Sequence, residues 1–275
     1  MRIVPSPDRA LTVYSPDAVL SGLVGALDRF IAGATGLVPA GCGTVVHDAR
    51  SIEAFYGLSG GTGGRHWPLV VDLFDGRASC VTEWRGADPL ARLQRIKGAT
   101  QPARAEAGTV RSRFWCDNPV CNLIHVSDSY PMMAEESEIL RSRQTAAAFA
   151  MPEEGRPEEG APGIRHSGLL AFARLAARRW PGQGLPDLPA DGSAQETGRR
   201  LVAWLLALAG REPAARDLVD GFLAGQEPML PRIRQAFGRI GAWEALQLEC
   251  AQHSNPLWAA LAAMPGPARA VAAGG

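Results

Sequence analysis

Residues 10–14 (A-L-T-V-Y) form a short β-prone run that Ser15-Pro16-Asp17 stops. Pro16 behind a Ser15 cap opens a helix. Leu20, Leu23, Val24, Leu27, Phe30 and Ile31 then recur at helical spacing as far as Gly33. Residues 37–46 are a second extended segment, interrupted by glycines, and residues 49–57 predict a short helix carrying Tyr56. The glycine-rich stretch 57–64 (G-L-S-G-G-T-G-G) lacks the order of a dinucleotide-binding turn and reads as a surface loop. Beyond it, 67–74 is a helix or a buried run, 78–84 a strand and 89–96 a helix. Residues 109–113 fall in a loop, 121–127 form a strand with a single histidine, and a closing helix begins near Glu135. Strands and helices alternate without a long parallel crossover series. The first half therefore reads as α+β, an antiparallel sheet backed by helices.

Residues 151–163 (M-P-E-E-G-R-P-E-E-G-A-P-G) break this pattern with a Pro/Glu/Gly-rich repeat, the mark of an exposed linker. Further on, apolar residues recur only at helical spacing, for about five helices. The one containing Leu201, Val202, Trp204, Leu205, Leu206 and Leu208 is apolar on nearly every side and should be central. The expected organisation is an α+β domain over 9–145, a linker over 146–164 and an α-helical bundle domain over 165–275.

Balanced charge, 28 basic against 28 acidic residues, gives no bulk attraction for nucleic acid or an anionic membrane. The basic set is lopsided, because Lys97 is the only lysine among those 28. A phosphate grip must then come from arginine, backbone amides or a metal ion, and a Walker-type loop with its own lysine is excluded. No run of about 18 apolar residues suggests a membrane span, and the first residues lack the apolar core of a signal peptide. Five scattered cysteines suit a reducing cytosol, so a cytoplasmic location is expected. Cys116, Cys121 and His125 do not follow a common zinc spacing and lack a fourth ligand; structural thiols and no protein-held metal are expected. His166 and His253 are lone histidines, read as surface or core residues.

Chemistry concentrates between Gln94 and Ile139. His125 lies in the apolar run Asn122-Leu123-Ile124-His125-Val126, followed at once by Ser127, Asp128 and Ser129, with Thr100 and Arg111 upstream. A lone histidine in such a run is ordinarily a core residue. A neutral imidazole flanked by a hydroxyl, a carboxylate and a guanidinium is also a suitable relay for a phosphoryl group.

Gly98-Ala99-Thr100-x-Pro102, Gly108-Thr109-Val110-Arg111-x-x-Phe114 and Asn122-x-x-His125-x-Ser127-Asp128-Ser129 resemble the nucleoside diphosphate kinase family in order and nearly in spacing. The resemblance covers about residues 9–145 and implies a ferredoxin-like antiparallel sheet. It also implies ping-pong transfer of a γ-phosphate from a nucleoside triphosphate to a nucleoside diphosphate through a phosphohistidine. His125 would be the nucleophile, Glu138 (with Glu136 as a rival) would orient its ring, and Ser127 would sit beside the phosphoryl group. Tyr56, Thr100, Arg111 and Asp128 would stand near the phosphates, Asn122 would read the sugar, and Trp67, or else His66, would stack on the base. Magnesium would accompany ATP or another triphosphate, and a homo-oligomer and a protein partner at the helical domain are further expectations.

Three positions depart from the family pattern: Ser15 replaces a lysine, Gln94 an arginine and Val126 a glycine. Arg65, Arg92, Arg95, Lys97 and Arg113 are near enough in sequence to replace the missing cations. Ala107 stands where the family has a proline in an assembly loop. The alternative is a catalytically weakened, nucleotide-binding pseudo-kinase whose helical domain binds a partner.

Overall fold

The computed structural model describes residues 7–101, 104–114, 116, 118–145, 167–188 and 194–263. The expected linker, Pro102 and His166 lie outside the described residues.

The first half is an antiparallel sheet covered by helices. β3 (Ala78–Arg85) is the middle strand; β1 (Arg9–Tyr14) pairs with it on one side and with β4 (Ile124–His125) on the other. β2 (Val38–Val46) pairs with β3 and, at its end, with β5 (Gln144–Thr145). β1 and β3 are buried almost throughout, with Ala10, Leu11, Val13, Val81 and Trp84 in the core. The Trp84 indole N–H is kept satisfied by Thr12 Oγ1, 3.0 Å away across the β1–β3 pair. The predicted antiparallel α+β sheet is present. The predicted histidine strand shrinks from seven residues to two, and β5, too polar to be legible, is added.

The predicted first helix is two. α1 (Pro16–Leu20) is followed by Gly22, whose φ of +71° turns the chain before α2 (Val24–Thr35). α3 (Ala49–Gly57) starts on a capping box between Asp48 and Ser51. Of the two readings of 67–74 the helix is found, as α4 (Trp67–Phe74), and α5 (Pro89–Lys97) follows as expected. Residues 110–113, read as loop, make the single turn α6 (Val110–Arg113). α7 (Tyr130–Ser142) is capped by Ser129 and turns Met133, Glu136, Ser137 and Leu140 inward.

Among its described residues the second half forms helices and no strand: α8 (Gly168–Arg179), α9 (Ala194–Arg211), α10 (Pro213–Leu223), α11 (Met229–Phe237), α12 (Ala242–Ala251) and α13 (Asn255–Ala263). α8 is more completely buried than α9. Seven consecutive residues from Ala171 back to Ser167 and on to Ala173 are buried, whereas Leu206 on α9 is 43% exposed. Small residues allow this: a Cβ on Gly168 would come within 2.4 Å of Ala251 Cβ and 2.6 Å of the Gln247 carbonyl on α12. α12 also packs against α4, and its Leu246 and Cys250 belong to the core of the sheet half.

Candidate active site

β4 ends on His125, and α7 lays Glu136 against it. The ring Nε2 lies 3.0 Å from Glu136 Oε1, and Ser127 Oγ donates to the other carboxylate oxygen. Glu136 and Ser127 are buried, while the His125 side chain retains 17% exposure. A carboxylate oxygen accepts, so the ring proton sits on Nε2 and the Nδ1 lone pair is left for chemistry. Glu138, the expected orienting acid, is instead exposed and paired with Arg141. Helical phase explains the correction: on α7, position 136 shares the inward stripe with Met133 and Leu140, and position 138 points out.

Rings close the site from behind. Phe55 and Tyr56, neighbours on α3, stand edge-on to His125 at 4.9 and 5.8 Å between centroids. Tyr56 in turn meets Trp67 at 5.9 Å, which ties the candidate base-stacking residue to the histidine through one intervening ring. Burial raises the Tyr56 pKa, so its hydroxyl stays neutral. His66 contacts the His253 ring at 5.9 Å, which turns it toward the helical half.

The backbone before His125 is strained and held. Leu123 has a φ of +72°, a conformation that costs a non-glycine residue about 1–2 kcal/mol. Its N–H donates to buried Asp17 Oδ2 at 3.0 Å and its carbonyl accepts from Ser15 N at 3.1 Å. The Ser15 hydroxyl also donates to Asp17. Ser15, where the resemblance led one to look for a lysine, thus serves the loop. Burial pushes the Asp17 carboxyl up to about 6, against the pull of the Ser15 hydroxyl and the Leu123 N–H.

Arg111 is buried, and its N–H groups meet five acceptors: Asn122 O, Gly98 O, Thr100 Oγ1, Asn122 Oδ1 and Ile124 O, at 2.8 to 3.3 Å. A guanidinium has five N–H bonds, so this one is fully occupied by protein. Burial lowers its pKa from the usual value, with Cys116, Tyr56 and Asp17 acting the other way. Thr100 and Asn122 are gathered by it, and Asn122 also donates to Pro119 O. Gln94 donates to the Ser127 and Asp128 carbonyls, both at 2.9 Å, and Lys97 Nζ reaches Val126 O at 3.3 Å. Asp128 itself is exposed at the rim.

A family model, nucleoside diphosphate kinase, matches residues 8–145. The chain belongs to the nucleoside diphosphate kinase family. The enzyme of that name from Sulfurimonas denitrificans is 35% identical over 133 residues, 47% of this chain and 91% of the relative. The one from Delftia acidovorans is 31% identical over 133 residues, 47% and 89% of the two chains. A crystal structure of nucleoside diphosphate kinase from Encephalitozoon cuniculi aligns at 21% identity over 52% of this chain and 95% of its own, with a TM-score of 0.45. Within this nucleoside diphosphate kinase sheet, His125, Glu136, Ser127 and Tyr56 form one cluster. Arg111, Thr100 and Asn122 form a second beside it, while Glu138 stands apart. Gln94, which stands in place of a family arginine, and Lys97, one of the cations near enough in sequence to substitute, both touch the loop after the histidine.

Among the described residues, no helix is long and apolar enough to cross a membrane.

Proposed function

We propose that this chain is a nucleoside diphosphate kinase that carries the γ-phosphoryl group of a nucleoside triphosphate on His125 Nδ1. The observation that carries this reading is the Glu136 contact to Nε2, which leaves the opposite nitrogen with its lone pair. That lone pair attacks the γ-phosphorus, and the bond to the bridging oxygen breaks with its electrons passing to the departing diphosphate. A terminal oxygen of a second diphosphate then attacks the phosphohistidine, and the N–P electrons return to the ring. Glu136 keeps the Nε2 proton in place throughout and steadies the charge that the ring acquires. Among the described residues there is no group of three His, Cys, Asp or Glu side chains suited to a metal. On this reading magnesium would enter with the nucleotide, as part of the substrate, and would offset the charge of its phosphates. Trp67 gives the base a face to stack on, and Asn122 and Thr100 lie on the sugar and phosphate side.

The test is incubation with magnesium and γ-labelled ATP. The expected product is an acid-labile, base-stable phosphoenzyme, absent from His125→Ala. Glu136→Gln should slow its formation by roughly 10²-fold, and Glu138→Gln should leave it unchanged. Tight nucleotide binding without any label would replace this reading with the pseudo-kinase.

A further inference from the structure

The cations that could replace the two missing from the site separate cleanly by position. Arg92 donates to the Thr35 carbonyl and, with Arg95, Glu106 and Thr109, lines a cavity of about 460 Å³ beside α2. Arg65 pairs with Glu227 of the helical half, and Arg113 is exposed. Arg111 has no N–H to spare. Lys97 differs from all of these. It stands one helical turn after Gln94 on α5, so both project toward the same loop. Together they bind three consecutive carbonyls, those of Val126, Ser127 and Asp128, directly after the histidine. Gln94 spends its amide on two of them. The half-buried Lys97 ammonium spends one of its three N–H groups, on Val126 O; burial and the charge of Arg111 lower its pKa, and the carboxylates of Asp128 and Glu136 act the other way.

We infer that Lys97, the only lysine of the chain, is the cation that contacts the transferring phosphoryl group. It reaches the site from the end of α5 in place of the side chains that Ser15 and Gln94 no longer supply. Its two remaining N–H groups bind equatorial oxygens of the γ-phosphate as charge redistributes, and hold the same oxygens on the phosphohistidine. The inference rests on the phosphohistidine reading given above.

Single-turnover labelling with magnesium and γ-labelled ATP, on wild type, Lys97→Met and Lys97→Arg, tests it. Nucleoside diphosphate affinity and the unfolding midpoint are measured on the same samples. Lys97→Met should lower the labelling rate by roughly 10²–10³-fold, the usual loss for one pre-organised donor, with affinity and midpoint as in wild type. Lys97→Arg should recover part of the rate. Wild-type labelling with an equally fast Lys97→Met would overturn the Lys97 assignment and leave the phosphohistidine standing. Parallel losses of rate, affinity and midpoint, not restored by arginine, would make Lys97 a clamp on the Val126 carbonyl and nothing more. A wild type that takes no label would defeat the underlying reading itself.

Discussion

The two halves of the molecule differ in what they bury. The sheet half encloses Asp17, His47, Glu83, Arg111 and Glu136, all ionisable. The buried polar residues of the helical half, among those described, are Ser167, Thr197, Gln247 and Ser254, none of which carries charge. An enclosed charge is costly unless it is paired or hydrogen-bonded, so each one implies dedicated partners. Four of these five lie around His125 or in the ring stack behind it: Asp17 and Arg111 hold the loop, Glu136 holds the ring, and His47 packs on Phe55. Among the described residues, enclosed ionisable side chains of this kind are thus confined to the sheet half.

The sharpest way to break this contrast is to remove its most heavily bonded charge. Arg111→Met leaves the carbonyls of Gly98, Asn122 and Ile124 without their donor. With roughly 1–3 kcal/mol for each buried group left unsatisfied, a loss of about 3–5 kcal/mol is expected, read as a lower urea midpoint. A midpoint within error of wild type would mean that Arg111 is free to leave the loop and bind phosphate instead.

A pH-dependent test comes next. Burial, then the charge of Arg143, lowers the His47 pKa from about 6.5 to about 4. Between those values the unfolded imidazole takes up a proton and the folded one does not. Stability therefore falls as pH drops from 6.5 to 4, by about 3 kcal/mol over the whole window. His47→Phe should remove that decline from the pH profile of the melting temperature. Asp17, whose raised pKa acts in the opposite sense over part of the same range, is common to both proteins and drops out of the difference. Parallel profiles for the two proteins would contradict the assignment.

The smallest effect belongs to the helical half. Gly168→Ala forces a methyl group into the α8–α12 contact and should cost about 1–3 kcal/mol, while the rate of His125 labelling stays as in wild type. A labelling rate that fell with it would show that the helical half shares in the chemistry.

Much of this was legible from the pattern of residues, because β1, β3 and α3 to α5 state their period locally. β5 was not, since Gln144 and Thr145 carry no apolar alternation and pair only because β2 is there to receive them. The choice of Glu136 over Glu138 was available in the phase of α7, where Met133 and Leu140 mark the inward side. The fate of Arg111 could not be read in advance: its acceptors come from separate loops that meet only in the folded chain. The fuller burial of α8 than of α9 was hidden for a similar reason. A run of leucines looks more central than one of alanines, yet small side chains are what let a helix be surrounded.

α12 lends Leu246 and Cys250 to the sheet half and Ala245, Leu248 and Ala251 to the helical half. One short helix is therefore a party wall. If it frays, both interiors are opened to water at once, so heat should take the molecule apart in a single cooperative step rather than half by half.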